Sequence, residues 1–508
     1  MLKTFKRILS CVIVVLLLIF ALAKTTDVMQ RKSSDIKYIP FFEHARDYDV
    51  LFMGSSLVMN DIFPMELWHD YGITSYNFGT HSSQMATTYW VMRNALDYSE
   101  PKVVVIDCFT LQFQQKTSDN FSFVHLAMDT FPLSMTKIRA VNDLLEDPEI
   151  ERRLNEGIIT ENEKRTKIGL LWDYSVYHSR WDEINKDDFV VSGSKEYGAE
   201  SRIRICEPGA VIENPGTTLS EETVGMTYLK KIIEECRKRD IQVVLTYLPH
   251  TIADENMWKE VNTTCEIAKE YGVDYINFPD ENIVDFSTDC FDAGAHLNPS
   301  GAFKVTDYLG KYLQDKYQLA DYRNDTHYGY WNDDYKAYKE MKDSRLNDIN
   351  DLNTYLMLLE DDDYGFIMSV GDPSVFEDPA TLNLLKNKGV KTDEISEESK
   401  YIIVCGKESL VVNSDMNESG EYGGYQVIFN EDGQFGVYKG TEELLLLDQS
   451  ALRNKKRVVS VNVFPMENRR NIINTAKFAL PKAPVIGKRH PDKNGIVVLK
   501  SKAVRTSK

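Results

Sequence analysis

Two short segments, about 240 residues apart, hold the residue types of a nucleophilic acyl-transfer site. In the first, residues 50–57, an apolar run ends in Gly54-Ser55-Ser56. In the second, residues 292–299, an aspartate and His296 come just before the start of a helical pattern. A serine attacks a carbonyl carbon when a histidine removes its proton and a carboxylate orients that histidine. We therefore expect the two segments to meet in one Ser-His-Asp site.

The pattern between residues 49 and 318 explains how the segments would meet. Short apolar runs alternate there with helical periodicity, which is typical of βαβ units and a mainly parallel sheet. Strands are predicted at residues 50–53, 74–78, 103–106, 243–247 and 273–278. Ligands of such sheets bind at the carboxyl ends of the strands. Gly54-Ser55-Ser56 lies at that edge, and His296 precedes the last helix, which returns to it.

Backbone N–H groups at the same edge could hold the oxyanion of acyl transfer. The turn after strand one leaves a serine N–H free, and Gly79, after strand two, would bring a second N–H close. Taken alone, each segment is equally an ordinary turn, and a lone loop histidine is usually a surface residue. The conjunction of Gly-Ser-Ser, Asn77-x-Gly79 and Asp-x-x-x-His-Leu-Asn at strand ends favours catalysis.

With these motifs, residues 47–318 resemble the SGNH (GDSL-type) hydrolase superfamily. They are most similar to membrane-anchored, extracytoplasmic members used in envelope-polymer acylation, such as the D-alanyl transfer protein of teichoic acid operons and alginate-type O-acetyltransferases. Gly54-Ser55-Ser56-Leu57 stands where that family has Gly-Asp-Ser-Leu. The resemblance therefore implies Ser56 as nucleophile, His296 as base, Gly79 as the glycine of the second block, and a flavodoxin-like three-layer α/β/α fold.

Two departures from the family pattern concern the acid and the oxyanion hole. The family places its acid three residues before the histidine, where this chain has Ala293, so Asp292 must reach the ring through a bulged loop. Asp289 is the alternative acid. The third block, Gly-x-Asn-Asp, is missing, since strand three ends in Asp107-Cys108. Losing one oxyanion donor typically costs on the order of 3 kcal/mol of transition-state stabilisation.

Three further polar residues at the same edge are candidates for substrate binding, although each is equally explained as a structural loop residue: Asn77, His250 and Asn298. An insertion at about residues 112–215, rich in charge and aromatics, is expected to form helices over the top of the sheet and shape a cleft. The cysteines show no metal spacing, and we predict no metal and no cofactor. Buried apolar cysteines are the default, with a disulfide among them left open.

The N-terminus predicts export. Residues 8–23 are almost continuously apolar and follow Lys3, Lys6 and Arg7. A single-pass anchor with its N-terminus inside and a cleaved signal peptide both fit, because the run is slightly short of the roughly 20 residues of a spanning helix. We favour the anchor, with the body of the chain extracytoplasmic; secretion after cleavage at Ala21-Leu22-Ala23 is the alternative.

The second half of the chain shows no catalytic constellation. Residues 319–350 are predicted to be a polar linker or interdomain helix, and residues 351–470 a smaller α/β domain. That domain resembles the interleukin-like EMT-inducer (FAM3-type) domain, which implies a carbohydrate-interacting role. The Glu360-Asp361-Asp362-Asp363 run reads as a solvated loop, with a Ca²⁺ site as the alternative. Residues 471–508 are predicted to be a basic tail.

Charge narrows the class of partner. The net charge is -19, yet residues 453–508 carry 15 Lys and Arg against two acids. An acidic body argues against nucleic acid, whereas a basic C-terminus suits an anionic polymer or lipid surface. The sequence therefore predicts an extracytoplasmic serine esterase or O-acyltransferase acting on a cell-surface glycan or teichoic-acid-like polymer, next to a membrane-bound acyltransferase. The alternative is a catalytically degenerate scaffold that binds glycan in an export or assembly complex.

Overall fold

A computed structural model defines the fold. The described residues are 2–29, 39–129, 131–161, 165–189, 195–406, 408–413, 419–422, 424–429, 434–448, 458–469, 471–480, 489–491, 496–501 and 503–506.

A five-stranded parallel sheet forms the centre of the first domain. Its strands are β1 Val50–Met53, β2 Ser75–Asn77, β3 Val103–Asp107, β4 Gln242–Tyr247 and β5 Asp274–Asn277. They are ordered β2-β1-β3-β4-β5, with every neighbouring pair parallel. Apart from the ends of the sheet, the strand residues are buried, as expected where helices cover both faces. The five predicted strands are confirmed, and the order is the flavodoxin-like one.

Helices cover both faces of this sheet and complete three layers. The helices of the first domain are α1 Leu2–Met29, α2 Ile39–Glu43, α3 Ser56–Asp61, α4 Pro64–Tyr71, α5 Met85–Ala95, α6 Phe121–Met128, α7 Met135–Leu145, α8 Pro148–Asn155, α9 Lys167–Leu171, α10 Tyr174–Tyr177, α11 Val224–Lys238, α12 Glu255–Tyr271, α13 Phe278–Glu281 and α14 Pro299–Tyr317. One apolar core lies under α5, α11 and α12, and another under α3, α4 and α14. The predicted α/β/α architecture is therefore correct.

The insertion at residues 112–215 packs differently from the prediction. Helices α6 and α7 pack mainly against α5 and share its apolar core, although Phe123 of α6 also contacts His81 in the loop after β2. The end of the insertion does reach the strand edge, because the Tyr197 carbonyl accepts a hydrogen bond from Asn77 N–H and Gly209 N–H donates to Ala293 O. This last stretch is therefore placed beside the predicted cleft.

A second domain is built on antiparallel sheets. Its helices are α15 Gly329–Arg345, α16 Leu352–Leu358 and α17 Pro379–Asn387, and its strands are β6 Tyr364–Val370, β7 Ser399–Cys405, β8 Glu408–Asn413, β9 Gly420–Tyr422, β10 Tyr425–Phe429, β11 Gln434–Lys439, β12 Glu442–Asp448, β13 Val458–Pro465, β14 Asn474–Ala479, β15 Arg489–Pro491, β16 Val497–Leu499 and β17 Val504–Arg505. Six of them form one sheet in the order β17-β14-β13-β6-β7-β8. Strands β14 and β17 belong to the predicted basic tail. The boundary predicted at residue 470 therefore falls inside the sheet.

The segment predicted as a polar linker, residues 319–350, contains a packed helix. Helix α15 buries Trp331, Tyr338 and Lys342. The Lys342 ammonium donates to Glu66 Oε1 at 2.7 Å and to Asp361 Oδ2 at 2.8 Å, which joins the two domains through a buried ion pair on each side. Residues 329–345 thus form a helix that contacts both domains.

Helix α1 is long and apolar enough to cross a membrane. The span Thr4–Met29 is 26 residues long, and its most apolar 18-residue window has a mean hydropathy of 2.7, with none of that window buried against the rest of the protein. A membrane anchor and a signal sequence both have these properties.

Candidate active site

Ser56 lies at the junction of β1 and α3. Strand β1 ends at Met53, and Ser56 is the first residue of α3, so its backbone N–H has no carbonyl partner within the helix. Ser55 is the N-cap, and its hydroxyl accepts a hydrogen bond from Leu57 N–H at 3.4 Å. Ser55 is buried, whereas Ser56 is half-buried and open to the strand edge. Ser55 thus caps the helix, whereas the hydroxyl of Ser56 is accessible at the strand edge.

The structure brings together the three residues that the sequence proposes as a triad. His296 Nε2 lies 2.8 Å from Ser56 Oγ, and His296 Nδ1 lies 2.7 Å from Asp292 Oδ2. The imidazole side chain is 25% exposed and the carboxylate 15%, so solvent and substrate can reach the ring. Both distances are within hydrogen-bond range, and the two ring nitrogens face opposite partners, as a base and its orienting acid require.

The loop before α14 folds back so that Asp292 reaches the ring of His296, four residues later. Asp292 Oδ1 accepts hydrogen bonds from the N–H groups of Ala295 and His296, both at 2.9 Å. Gly294 has a φ of +93°, in the left-handed region, and a Cβ there would clash with Thr251. Thr251 Oγ1 in turn donates to Ala293 O at 3.0 Å. This tight turn is the bulge that lets Asp292 meet the ring.

The carboxyl of Asp292 is held in its ionised form. Burial alone would raise its pKa, but the hydrogen bonds from the His296 side chain and from two backbone N–H groups outweigh burial and keep the pKa below its ordinary value. A carboxylate that stays ionised at neutral pH can stabilise an imidazolium on the histidine beside it.

Gly79 and Asn77 do not occupy the predicted places in an oxyanion hole or substrate site. Gly79 N–H donates to Asn77 Oδ1 at 2.9 Å, so it is engaged within the fold. A Cβ on Gly79 would lie 2.3 Å from Met59 N, which explains the glycine by close backbone approach. The amide of Asn77 is fully buried and donates to the carbonyls of Val58 and Ile62. Both predictions are corrected: these residues shape the turn below Ser56.

Asn298 and Asp289 are likewise structural. Asn298 is the buried N-cap of α14, and its amide donates to the carbonyls of Thr288 and Arg204. Asp289 is fully buried and accepts hydrogen bonds from Ser300 and Lys304. No hydrogen bond joins Asp289 to His296 in the described structure, so Asp292 and not Asp289 is the carboxyl that contacts the imidazole, and the substrate-binding prediction for Asn298 is corrected.

His250 is buried beside the site. Its Nδ1 lies 3.2 Å from Leu248 O, its ring packs edge-on against Phe109, and its Nε2 is shielded without a hydrogen-bond partner. Burial lowers its pKa to about 4, so the ring is neutral above that pH. A role in substrate contact stays a prediction, since the ring is only 4% exposed.

Two buried carboxyls at the strand edge were not predicted as site residues. Asp61, in α3, accepts a hydrogen bond from Leu297 N–H at 3.0 Å and so ties the histidine loop to the serine helix. Asp107, at the end of β3, accepts from Leu248 N–H at 3.0 Å. Each has a second oxygen without a partner. The position of Asp107 after a strand was visible in the sequence, but nothing in the sequence reveals that these carboxyls are buried.

We expect replacement of Asp107 by asparagine to stabilise the protein increasingly as pH rises. Burial raises the pKa of this carboxyl to about 7 from its ordinary value of 3.8, despite hydrogen bonds from backbone N–H groups. The folded state therefore binds the proton more tightly than the unfolded state, and wild-type stability falls between about pH 4 and pH 7. The variant should gain up to about 4 kcal/mol over that window. Urea denaturation at several pH values measures it, and a pH-independent difference would contradict the assignment.

One cluster of metal-ligating side chains appears in the described residues. Glu66, His69 and Asp70 bring ligand atoms within 4.8 Å of one another, beside a cavity of about 650 Å³ between the domains. However, Glu66 already accepts hydrogen bonds from Lys342 and Tyr338, and His69 Nδ1 contacts Asp70. The alternative Ca²⁺ site at residues 360–363 has a similar difficulty, because Asp361 also pairs with Lys342.

Comparisons with known proteins return only distant likenesses. No protein-family model matches the chain, and no curated protein is similar to it. A candidate acylhydrolase from Bacteroides fragilis is similar in structure at 9% identity and a TM-score of 0.28, over 56% of this chain and 99% of that one. A candidate lipolytic protein of the G-D-S-L family from Desulfitobacterium hafniense matches at 10% identity and 0.26, over 52% and 97%. A GDSL-like lipase from Bacteroides thetaiotaomicron matches at 10% and 0.25, over 52% and 87%. At these values, function is inferred from the chain's own geometry.

Proposed function

We propose that the protein is a serine esterase or O-acyltransferase of the SGNH type, with Ser56 as nucleophile, His296 as base and Asp292 as orienting acid. The observation that carries the proposal is the continuous hydrogen-bonded chain from Ser56 Oγ through the imidazole to the Asp292 carboxylate, at 2.8 and 2.7 Å. The turn at Gly294 supports the proposal, because it lets the Asp292 carboxylate reach the ring of His296.

The chemistry follows in two half-reactions. His296 Nε2 takes the proton of Ser56 as Oγ attacks the ester carbonyl carbon, and the Ser56 N–H at the start of α3 is placed to stabilise the oxyanion. The leaving alcohol takes the proton from the imidazolium, which leaves an acyl-serine. Water or a sugar hydroxyl then gives up a proton to His296 and attacks the acyl group, and the proton passes from the imidazolium to Ser56 Oγ as the bond from Oγ to the acyl carbon breaks. Water makes an esterase, and a sugar hydroxyl makes a transferase.

The substrate we propose is an acylated cell-surface polysaccharide or teichoic-acid-like polymer. Helix α1 supports an extracytoplasmic position if it serves as an anchor, and the half-exposed ring of the site supports a substrate that is not enclosed. A glycan-interacting role for the second domain and a membrane-bound acyltransferase as partner belong to the same proposal. A pathway of this kind would supply acyl groups at the membrane surface.

One observation favours the second candidate function, a degenerate scaffold that binds glycan without turnover. Because Gly79 N–H is engaged by Asn77 and the third-block asparagine is missing, Ser56 N–H is the single oxyanion donor identified among the described residues. Removing a donor typically lowers kcat by about 10²- to 10³-fold. A weak oxyanion hole would slow the turnover of an ester substrate.

Fluorophosphonate labelling tests the proposal. We expect the full-length protein to react through Ser56, because His296 activates its hydroxyl, and peptide mass spectrometry should place the label on Ser56 and not on Ser55. Ser55→Ala, the matched control, should label like the wild type. Absence of label on a folded, monodisperse protein would favour the binding scaffold, and its glycan affinity should then be unaffected by Ser56→Ala.

A further inference from the structure

An unusual number of large apolar side chains face solvent in the insertion. Six of these residues, which we call the apolar patch, are Leu133, Met135, Ile168, Trp172, Trp181 and Phe189. Their exposed fractions run from 47% for Trp172 to 69% for Trp181. Single exposed apolar residues need no explanation, but a group that includes two tryptophans marks an interaction surface.

The elements that carry the apolar patch lie next to the end of α1. Helix α10 and the 3₁₀ helices His178–Asp182 and Lys186–Phe189 contact α1. Arg180 Nη1 donates to Met29 O at 2.8 Å. Side chains of α1 are exposed from Thr4 to Lys24, whereas Thr25, Thr26 and Val28 are half-buried and Met29 is buried, with Asp27 still exposed. The insertion therefore packs on the last two turns of α1 and leaves the rest of this helix bare.

The elements that carry the remaining members of the patch contact one another. Helix α9, which carries Ile168, contacts both α7 and α10. Trp172 packs near Tyr174 with ring centroids 5.7 Å apart, and the Tyr177 hydroxyl donates to Asp129 Oδ2 at 2.7 Å just before α7. These contacts hold the start of α7, with Leu133 and Met135, beside α10.

We propose that the apolar patch rests on the bilayer surface where α1 emerges, with its tryptophans in the boundary between headgroups and acyl chains. This inference rests on the proposed anchoring by α1. The apolar run of residues 8–23 is about 24 Å long at 1.5 Å per residue, and a hydrocarbon core of about 30 Å extends it to near Thr26. The last turn of α1 then lies at headgroup level, and the elements packed on it lie at the same depth.

The chemistry of the patch fits this occupant. Tryptophan is enriched at membrane interfaces because its ring is apolar and its N–H stays hydrated. Leucine, isoleucine and phenylalanine beside it bury apolar area in the acyl boundary. The exposed apolar part of α1 requires a bilayer around it, and the patch lies next to the end of that helix. A lipid surface is therefore already present at the patch, whereas a second copy or a soluble partner would have to bind the patch at the membrane.

Brominated phospholipids test the proposal directly on the full-length protein in vesicles. The chain has six tryptophans, of which α1 contains none, and those outside the patch are buried or half-buried: Trp68, Trp90, Trp258 and Trp331. Subtracting the fluorescence emission of the double variant Trp172→Phe/Trp181→Phe from that of the wild type gives the emission of the two patch tryptophans. We expect lipids brominated at a shallow acyl position to remove about half or more of that difference signal, and aqueous iodide to remove little.

Introducing a carboxylate inside the patch, and another outside it, gives a matched pair of variants. Ile168→Glu should reduce the bromolipid quenching of Trp172 and Trp181 at least about twofold, because a carboxylate resists entry into the acyl boundary. Val211→Glu should leave it unchanged, since Val211 is equally exposed, at 63%, but lies outside the patch.

Three outcomes would overturn the proposal. Quenching by iodide and not by bromolipid, on protein that floats with the vesicles, would place the patch in water. Quenching by neither would mean that protein covers it. Failure to float would remove the anchor and the patch together, yet fluorophosphonate labelling of Ser56 would be unaffected, so the enzymatic proposal is judged separately.

Discussion

Replacing Ser56 with alanine is expected to lower kcat on a small activated ester by on the order of 10⁶-fold, the loss seen when the nucleophile of such a triad is removed. The reason is geometric: His296 Nε2 faces Ser56 Oγ at 2.8 Å, and no other hydroxyl makes a hydrogen bond to that nitrogen in the described structure. Steady-state hydrolysis of p-nitrophenyl acetate, followed over long times with active-site titration, measures the change.

Ser55→Ala is the control for this prediction. Ser55 caps α3 through Leu57 N–H, so its loss should cost about 1 kcal/mol of stability. Turnover should stay within about an order of magnitude of the wild type, because Ser55 Oγ points into the helix start and is buried. Equal turnover by Ser56→Ala and Ser55→Ala would rule out Ser56 as the nucleophile.

The first domain was largely predictable because its strands are buried on both faces. A continuous apolar run such as residues 50–53 has one stable place in an α/β fold, the middle of a covered parallel sheet. The strand ends then follow, and with them the edge on which Ser56 and His296 meet. Local sequence was sufficient there because burial and strand propensity agree.

The domain junction was not predictable, since its burial depends on pairing over long distances. Helix α15 is rich in Asp, Lys and Tyr and resembles a solvated linker. Yet Lys342 is buried, because its ammonium pairs with the carboxylates of Glu66 and Asp361. Glu66 lies 276 residues before Lys342 in the sequence, and Asp361 lies 19 residues after it. A charged side chain is buried when partners satisfy it, and those partners are set by the tertiary fold.

Roles at the site were predicted where they depend on strand order and missed where they depend on hydrogen bonds. Asn77 ends β2 and Gly79 follows it as expected, but the Asn77 side chain accepts a hydrogen bond from Gly79 N–H, which forms a local turn and engages that N–H within the fold. Asp61 was missed because nothing about an aspartate in a short helix indicates that it accepts from Leu297.

The acid is the second large effect. Asp292→Asn is expected to lower kcat by about 10⁴-fold with the triad geometry retained, because an amide in place of the carboxylate favours the wrong tautomer of His296 and cannot stabilise an imidazolium. Asparagine keeps an oxygen for Ala295 and His296 N–H, so the loop should stay closed. Steady-state kinetics and thermal unfolding, measured on the same preparation, separate the loss of activity from any loss of fold.

Asp289→Asn distinguishes the two acids that the sequence leaves open. Asp289 is fully buried and accepts a hydrogen bond from Lys304 at 2.8 Å, while Glu360 also lies 3.5 Å from Lys304, so this variant weakens the ion pair and should lose about 1.5 to 3 kcal/mol of stability. Its folded fraction, assayed at low temperature, should turn over ester like the wild type, since Asp289 makes no bond to His296. The opposite pattern, with Asp289→Asn inactive and Asp292→Asn active, would show that the loop rearranges on substrate binding and that the four-residue spacing is not the working one.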